Sequence, residues 1–148
     1  MLSRLLHLFF ILTRPMTLGV RGLLISPDKT VLLVRHSYHS GWHMPGGGVH
    51  RGEALEAALV REIQEEVAFN IIGKPKLHGI FFNNKVSKRD HVAVYICENF
   101  EEIPNQKSSW EISECQFFPL DSLPPELDGG TKARIFEYLE KQEAALSW

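Results

Sequence analysis

One segment of the chain, residues 45–69, constrains the fold more than any other. It joins a run of glycines to an acidic stretch with helical periodicity. At about 100° per residue, Glu66 falls inside the apolar stripe of that helix and Glu62 lies about 20° outside its edge, with Glu65 roughly 60° further round. The apolar stripe itself consists of Leu55, Leu59, Ile63 and Val67. The sequence therefore predicts a helix, residues 53–69, that turns carboxylates as well as apolar side chains towards the domain body.

These carboxylates indicate chemistry rather than a solvated acidic face. An unpaired carboxylate inside a protein is unfavourable, and neighbouring carboxylates repel one another unless a cation lies among them. Hard divalent cations prefer oxygen ligands of this kind. Residues 46–48 are all glycine, so the backbone can approach a phosphate or a metal without a Cβ in the way. The segment predicts a site for a metal ion and a phosphate.

The spacing of these residues resembles the signature of a known family. Gly47, Glu53 and the run Arg61-Glu62-Ile63-Gln64-Glu65-Glu66 match the box of the Nudix (MutT-like) hydrolases, and residues 42–49 are similar to its usual lead-in. One position departs, because Ala68 stands where the family has glycine at the end of the helix. We expect a slightly different helix exit there, since glycine relieves left-handed strain.

The resemblance implies a divalent-metal-dependent hydrolase that uses Mg²⁺ or Mn²⁺. Such enzymes cleave a pyrophosphate bond in a nucleoside diphosphate linked to another moiety, with water on the metal as the nucleophile. The metal ligands that the resemblance implies are Glu62, Glu65 and Glu66, helped by the backbone carbonyl of Gly46 or Gly47.

The resemblance also implies separate roles for the other members of the box. Glu62 is the first candidate for the catalytic base and Glu65 the second. Arg61 is expected to orient the carboxylates rather than to contact phosphate. Glu53 is expected to be structural or outer-shell, tying the loop to the helix.

Residues outside the box are weaker candidates for the same site. Some family members use an additional carboxylate, for which Glu111 and Glu114 are candidates, although both also fit a loop surface. The possible substrate-binding residues are Arg35, Tyr38, Trp42 and His91. His36, His39 and His43 could form a metal trio, but their positions at a strand end and in a loop favour substrate contact or plain surface.

The substrate is less well defined by the sequence. ADP-ribose hydrolases of the family tend to carry a proline some sixteen residues after the box, and that position is Lys85 here. Dinucleoside polyphosphate hydrolases tend to carry a tyrosine at the next position, which is Val86, and residues 31–40 lack the coenzyme A signature. A nucleoside triphosphate or a nucleotide sugar stays as the broad prediction. The alternative is a catalytically silent nucleotide-binding or sensor module.

Composition limits the remaining classes. A chain of 148 residues with 44% hydrophobic residues has the size of one domain, and its net charge of −2 gives no sign of nucleic-acid binding. Cys97 and Cys115 have no zinc-ligand spacing and are predicted to be free thiols. We expect a cytoplasmic protein, with a homodimer as a possible assembly.

We divide the chain into an apolar segment, residues 1–14, and a Nudix hydrolase domain, residues 15–148. The segment is too short to span a bilayer, which takes about 20 residues. We expect a helix that packs on the domain or on a partner copy. Peripheral membrane contact through residues 1–13 and a targeting role are the alternatives.

The domain is predicted to be α/β, with a mixed sheet between helices. Residues 18–25 and 30–35 are predicted to form a hairpin, and residues 78–86 and 91–98 two further strands. Residues 100–109 are expected to be a loop and residues 115–120 a last short strand. Thr131 is expected to cap a final helix. The resemblance implies the same architecture, an α/β/α Nudix sandwich whose box forms a loop-helix-loop.

Overall fold

The computed structural model describes residues 2–148, with side chains from residue 5 onward. The helices are α1 (Leu2–Thr13), α2 (Leu55–Val67) and α3 (Gly129–Leu139). The strands are β1 (Thr17–Leu24), β2 (Thr30–His36), β3 (Phe69–Ile71), β4 (Lys76–Phe82), β5 (Asp90–Cys97), β6 (Phe100–Glu102) and β7 (Ile112–Pro119). The predicted mixed α/β architecture is confirmed.

The strands form one mixed sheet and two pairs. In the three-stranded sheet the order is β1-β5-β4, with β1 parallel to β5 and β4 antiparallel to it. β2 pairs with β7 and β3 with β6, both antiparallel. One core cluster packs Leu59 and Ile63 of α2 against strand residues, and a second packs Ile135 of α3 around Phe81. The strands therefore lie between two helical layers.

The predicted hairpin between the first two strands is wrong. A turn does join them, but their pairing is limited to one bridge between Ile25 and Val31. The edges that would meet are occupied by the segment that follows. The backbone N–H of Val34 donates to the carbonyl of His43, and that of Val20 donates to the carbonyl of Gly47. Residues 43–47, which include the start of the glycine turn, thus lie between β1 and β2. These backbone hydrogen bonds hold the turn beside α2.

Helix α2 forms where the apolar periodicity predicts it, two residues shorter at each end. Ile63 and Leu59 are fully buried, and Val67 is 5% exposed. The helix ends at Ala68, which has left-handed backbone angles (φ 58°, ψ 40°). This is the conformation that glycine adopts most easily, so the different helix exit expected here does not occur, and an alanine takes the left-handed angles instead.

Three further boundaries differ from the sequence prediction. The expected loop after Phe100 begins with a short strand, β6, because its backbone pairs with β3. The strand predicted at 78–86 stops at Phe82, where the chain turns through residues 83–87. The cap of α3 is Asp128, whose carboxylate accepts from the backbone N–H of Thr131. Thr131 itself lies inside the helix, fully buried.

The C-terminal residues fold back onto the domain. The backbone N–H of Phe82 donates to the carbonyl of Leu146, and that of Trp148 donates to the carbonyl of Phe82. The tail thereby pairs with the edge of β4 that β5 leaves free. The indole of Trp148 lies against Gly130 so closely that any Cβ there would collide with it. The end of the chain is consequently held in one place.

Helix α1 is present as predicted, but residues 5–12 are all exposed and do not pack on the domain. Its large apolar side chains are 41–72% exposed. Within residues 2–148 no helix is both long and apolar enough to cross a membrane.

Candidate active site

A cleft of about 480 Å³ opens beside the glycine turn and α2. Its acidic lining residues are Glu62, Glu66, Glu111 and Asp128. Its basic and histidine lining residues are Arg21, Lys85, His36, His39 and His43. The remainder of the wall comes from Tyr38, Met44, Gly46, Gly47, Gly48, Asn83, Val86, Val92, Thr131 and Trp148. The cleft thus gathers carboxylate oxygens, cations and aromatic rings in one space.

Arg61 organises the acidic side from behind the cleft. Its guanidinium donates Nε–H to Glu53 Oε1 at 2.8 Å and Nη2–H to Glu53 Oε2 at 3.0 Å. Nη1–H donates to Glu62 Oε1 at 2.6 Å, and Nη2–H also reaches the carbonyl of Gly48 at 3.0 Å. Glu65 is looser, with Oε2 at 3.6 Å from Nη1 and a side chain 59% exposed. One guanidinium therefore joins the loop, the helix and the glycine turn.

Glu66 is held by a different set of partners. Its side chain is 7% exposed, with Oε1 lying 3.1 Å from Nε2 of His36. Oε2 accepts a hydrogen bond of 2.7 Å from the backbone N–H of Gly46. Arg21 Nη1–H donates to the carbonyls of Met44 at 3.1 Å and Gly46 at 2.7 Å. Glu66 thus binds the backbone N–H of Gly46, and Arg21 binds its carbonyl. Both backbone polar groups of this glycine are therefore fixed.

The turn requires glycine at two positions for steric reasons. Gly46 has φ of 140°, which L side chains rarely adopt, and a Cβ there would strike the backbone of β1. A Cβ on Gly47 would lie 2.6 Å from the carboxylate carbon of Glu62. The glutamate carboxyl therefore lies directly on the glycine backbone, in a space that any side chain would fill.

The two carboxylates bound by Arg61 have pKa values that are shifted in opposite directions. Hydrogen bonds from Arg61, and then from the backbone N–H of His50, lower the pKa of Glu53 to about 2. Burial raises the pKa of Glu62 above its ordinary value, although the hydrogen bond and charge of Arg61 oppose this. Glu53 is thus a fixed anion, whereas Glu62 is an incompletely compensated carboxylate at the cleft wall.

The structure brings some of the predicted site residues to the cleft and leaves others outside it. Lining it are Glu62, Glu66, Gly46, Gly47, Tyr38 and Glu111. Lying outside its lining are Glu53, Arg61, Glu65, Glu114, Arg35, Trp42 and His91. Burial, followed by the charge of Glu111, raises the pKa of Tyr38. Of the two candidate additional carboxylates, Glu111 lines the cleft and Glu114 does not.

Three of the four possible substrate-binding residues pack outside the cleft lining. Trp42 is 5% exposed, and its ring centroid lies 4.7 Å from that of Phe118, so it belongs to the core. Arg35 pairs with Glu114 at 3.3 Å and stacks on Trp42, which turns it away from the cleft. His91 packs on another ring and faces away because its neighbour on β5, Val92, faces the cleft.

Several cleft residues were missed by the sequence interpretation. Arg21 is a lone charge in an apolar strand beside two glycines, a signal that could have marked it. His36 was considered only as part of a histidine trio, whereas its partner is Glu66. Asn83, Asp128 and Trp148 reach the cleft through tertiary packing, which local sequence patterns do not reveal.

The fit of this site to a metal ion follows from its donors. No group of three or more His, Cys, Asp or Glu side chains within residues 2–148 is close enough to form a ready cluster. The carboxylate of Glu62 nevertheless lies against the backbone of Gly47, with Glu66 in the same cleft wall. These are oxygen donors of the kind that hard divalent cations bind. The residues present therefore fit such an ion.

Comparison with known proteins identifies the family. The NUDIX domain model matches residues 15–139, so the chain belongs to the Nudix family. It is 33% identical over 106 residues to an ADP-ribose pyrophosphatase of Methanocaldococcus jannaschii, an alignment covering 68% of this chain and 61% of that protein. It is 33% identical over 76 residues to a putative 8-oxo-dGTP diphosphatase of Bacillus subtilis, covering 51% and 50%. The chain thus spans half to three fifths of these two relatives.

Solved structures show the same fold. A MutT NUDIX hydrolase from Burkholderia pseudomallei superposes with a TM-score of 0.70 at 23% identity, covering 81% of this chain and 95% of that one. A UDP-X diphosphatase superposes with a TM-score of 0.72 at 22% identity, covering 98% and 75%. The predicted Nudix sandwich is confirmed by these neighbours.

Proposed function

We propose that this protein hydrolyses a pyrophosphate bond in a nucleoside diphosphate linked to another group, with the help of a divalent metal ion. The observation that carries the proposal is the placement of Glu62 and Glu66 beside the glycine turn in one cleft. Family membership supports the reaction class, since the two relatives are named as a pyrophosphatase and a diphosphatase.

The metal ion, Mg²⁺ or Mn²⁺, would be held by Glu62 and Glu66 with the carbonyl of Gly46 or Gly47, and by Glu65 after rotation of its exposed side chain. Bound there, it would supply neutralisation of phosphoryl charge and polarisation of water. The chain needs such help because its own cleft wall is acidic. A pyrophosphate would otherwise meet two carboxylates without compensation.

The chain's own residues would orient the reactants and move the proton. Water attacks one phosphorus as the bridging P–O bond breaks, and its proton passes to a carboxylate. Glu62 is the candidate base because it lines the cleft and Arg61 fixes its position, whereas Glu65 lies outside the lining. The bridging oxygen leaves with the other phosphorus, as a phosphate monoester from a nucleotide sugar or as inorganic pyrophosphate or phosphate from a nucleoside triphosphate. Arg61 and Glu53 act by holding the carboxylates in place.

The substrate class is suggested by the division of the other lining residues into aromatic rings and cations. Trp148 and Tyr38 offer ring surfaces to a base or sugar, and Lys85 and Arg21 offer positive charge to phosphates. Nucleoside triphosphates and nucleotide sugars fit this division of the cleft. ADP-ribose enters the test as well, because one relative is an ADP-ribose pyrophosphatase.

The test is product release from nucleoside triphosphates, nucleotide sugars, dinucleoside polyphosphates and ADP-ribose, with Mg²⁺ or Mn²⁺ and a coupled phosphatase. Glu66→Gln is expected to lower kcat by about a thousandfold, an effect typical of removing charge that stabilises a transition state. An amide in that place can still accept from the N–H of Gly46 and donate to Nε2 of His36. The fold is therefore expected to be unchanged.

The matched control is Glu56→Gln, which makes the same change on the same helix at an exposed position outside the cleft. It is expected to retain full activity. An active Glu66→Gln enzyme would contradict the role of this carboxylate. If no substrate turns over while nucleotides still bind, the protein is the alternative, a silent nucleotide-binding module.

A further inference from the structure

The largest exposed apolar surface of the described chain lies on α1, and none of its residues lines the cleft. Its large apolar side chains are 41–72% exposed, and Met16 just beyond the helix is 58% exposed. Monomeric soluble proteins rarely leave such a contiguous set uncovered. We propose that α1 docks flat on an anionic lipid surface, with its apolar face in the acyl boundary.

The angular distribution of side chains fits this geometry. Placed at about 100° per residue, the apolar side chains of residues 5–12 other than Ile11 fall within a sector of roughly 200°, and His7 lies on the opposite side beside Ile11. Packing on one protein partner takes a stripe of about 100°, so a sector this wide is better matched by immersion in a lipid interface. At about 1.5 Å per residue the helix of 12 residues is too short to cross a bilayer.

The charges of this segment indicate that the lipid surface is anionic. Residues 1–27 contain no aspartate or glutamate, and the first acidic residue is Asp28. Arg4 and Arg14 therefore have no acidic neighbour along this part of the chain. A second copy would bring only the same cations and no acid of its own in this segment. Anionic headgroups, by contrast, supply the missing negative charge on the polar side of the helix.

A second element extends the basic side beyond the helix. The backbone N–H of Thr17, just after α1, donates to the carbonyl of Arg89 at 3.0 Å. That bond places the turn carrying Lys88 and Arg89, both exposed, at the end of the helix. Arg14 folds back over the ring of Phe10, with its guanidinium carbon 4.7 Å from the ring centroid. Lys88 and Arg89 thus lie near the end of α1 that Arg14 follows, where the carboxylate of Asp90 is bound by the hydroxyl of Thr17 at 2.7 Å.

The test is co-sedimentation of the full chain with vesicles of phosphatidylcholine alone or mixed with phosphatidylglycerol. We expect binding to the mixed vesicles, weak binding to the neutral ones, and release at high salt. Lys88→Glu/Arg89→Glu is expected to weaken binding by at least about twentyfold, since each cation near an anionic surface contributes about fivefold. Leu8→Glu/Leu12→Glu is expected to abolish it, because both leucines would carry charge into the acyl boundary.

Leu139→Glu is the matched control, since this leucine also lies on a helix and is 43% exposed against 54% for Leu8. It is expected to bind vesicles like the parent chain. The thermal midpoint should be similar in all variants, which separates lost docking from lost folding.

Two results would overturn the proposal. One is equal sedimentation of the parent chain and the Leu8/Leu12 variant. The other is absence of binding to anionic vesicles together with a dimer that the same variant dissociates, which would assign the face to a second copy.

Discussion

Two arginines of this protein each hold glutamates, but in opposite settings. Arg61 binds Glu53 and Glu62 at the back of an open cleft, with its side chain 22% exposed. Arg134 is 2% exposed, and its Nη2–H donates to Glu137 at 2.8 Å, under the C-terminal tail. In the second network, the other oxygen of Glu137 lies 2.7 Å from Nε2 of His78.

The two networks differ in whether a glutamate oxygen remains available to a ligand. Glu137 has both oxygens bound within the protein, one of them also accepting the N–H of Ala145. Arg134 additionally donates to the carbonyl of Ser147 and covers the ring of Phe81 at 3.9 Å. Glu62 instead keeps its second oxygen at the cleft. A closed network of this kind fixes the tail, whereas an open one leaves a carboxylate at the cleft, where the proposed substrate and metal would bind.

The sharpest test of this comparison is the same substitution at both arginines. Arg134→Lys is expected to lower the free energy of unfolding by about 3 kcal/mol, because lysine cannot bind the carboxylate and the tail carbonyl together. Arg61→Lys is expected to lower kcat by about a hundredfold with little change in stability, because Glu62 loses its fixed position. Urea titrations and steady-state kinetics measure the two effects. Equal loss of stability at both sites would remove the distinction.

A second test concerns the tail that Arg134 anchors. Trp148 lies in the cleft wall, so Trp148→Ala is expected to raise KM about tenfold with kcat nearly unchanged, the magnitude of one lost ring contact. Trp148→Phe keeps a ring and should restore most of the affinity. A fall in kcat without a change in KM would instead indicate a purely structural residue.

The pH dependence of stability should also distinguish the two networks. Burial pushes the pKa of Glu137 upward, but the hydrogen bonds from His78 and Arg134 outweigh it and hold that pKa below its ordinary value. A lowered folded pKa stabilises the protein above the ordinary value, and this contribution is lost as pH falls. Glu137→Gln is therefore expected to flatten the loss of thermal midpoint between about pH 5 and pH 3. An unchanged pH profile would exclude this carboxylate as a source of acid sensitivity.

The smallest effect is expected at the end of α2. Ala68→Gly removes the strain of a left-handed alanine (φ 58°) and should raise the free energy of unfolding by at most about 1 kcal/mol. Activity should stay the same, because the cleft lining does not include this residue. A loss of stability would show that the methyl group, which is 5% exposed, contributes more through packing than the backbone strain removes.

The sequence was most informative where the signal is local. The periodicity of α2 predicted that Glu66 points inward, and the structure buries it against Gly46 and His36. Prediction from the sequence failed where contacts with distant segments determine the local structure. The hairpin was wrong because residues 43–47 occupy both strand edges, and the buried position of Trp42 depends on its contact with Phe118 on β7.

The three tryptophans have a practical consequence for measurement. Trp42 is 5% exposed in the core, Trp110 is 84% exposed to solvent, and Trp148 lies in the cleft wall. Their indole emission should therefore divide into a blue, a red and a ligand-sensitive component. With phenylalanine in place of Trp42 and Trp110, the remaining fluorophore would report occupancy of the cleft directly, whether or not the occupant is hydrolysed.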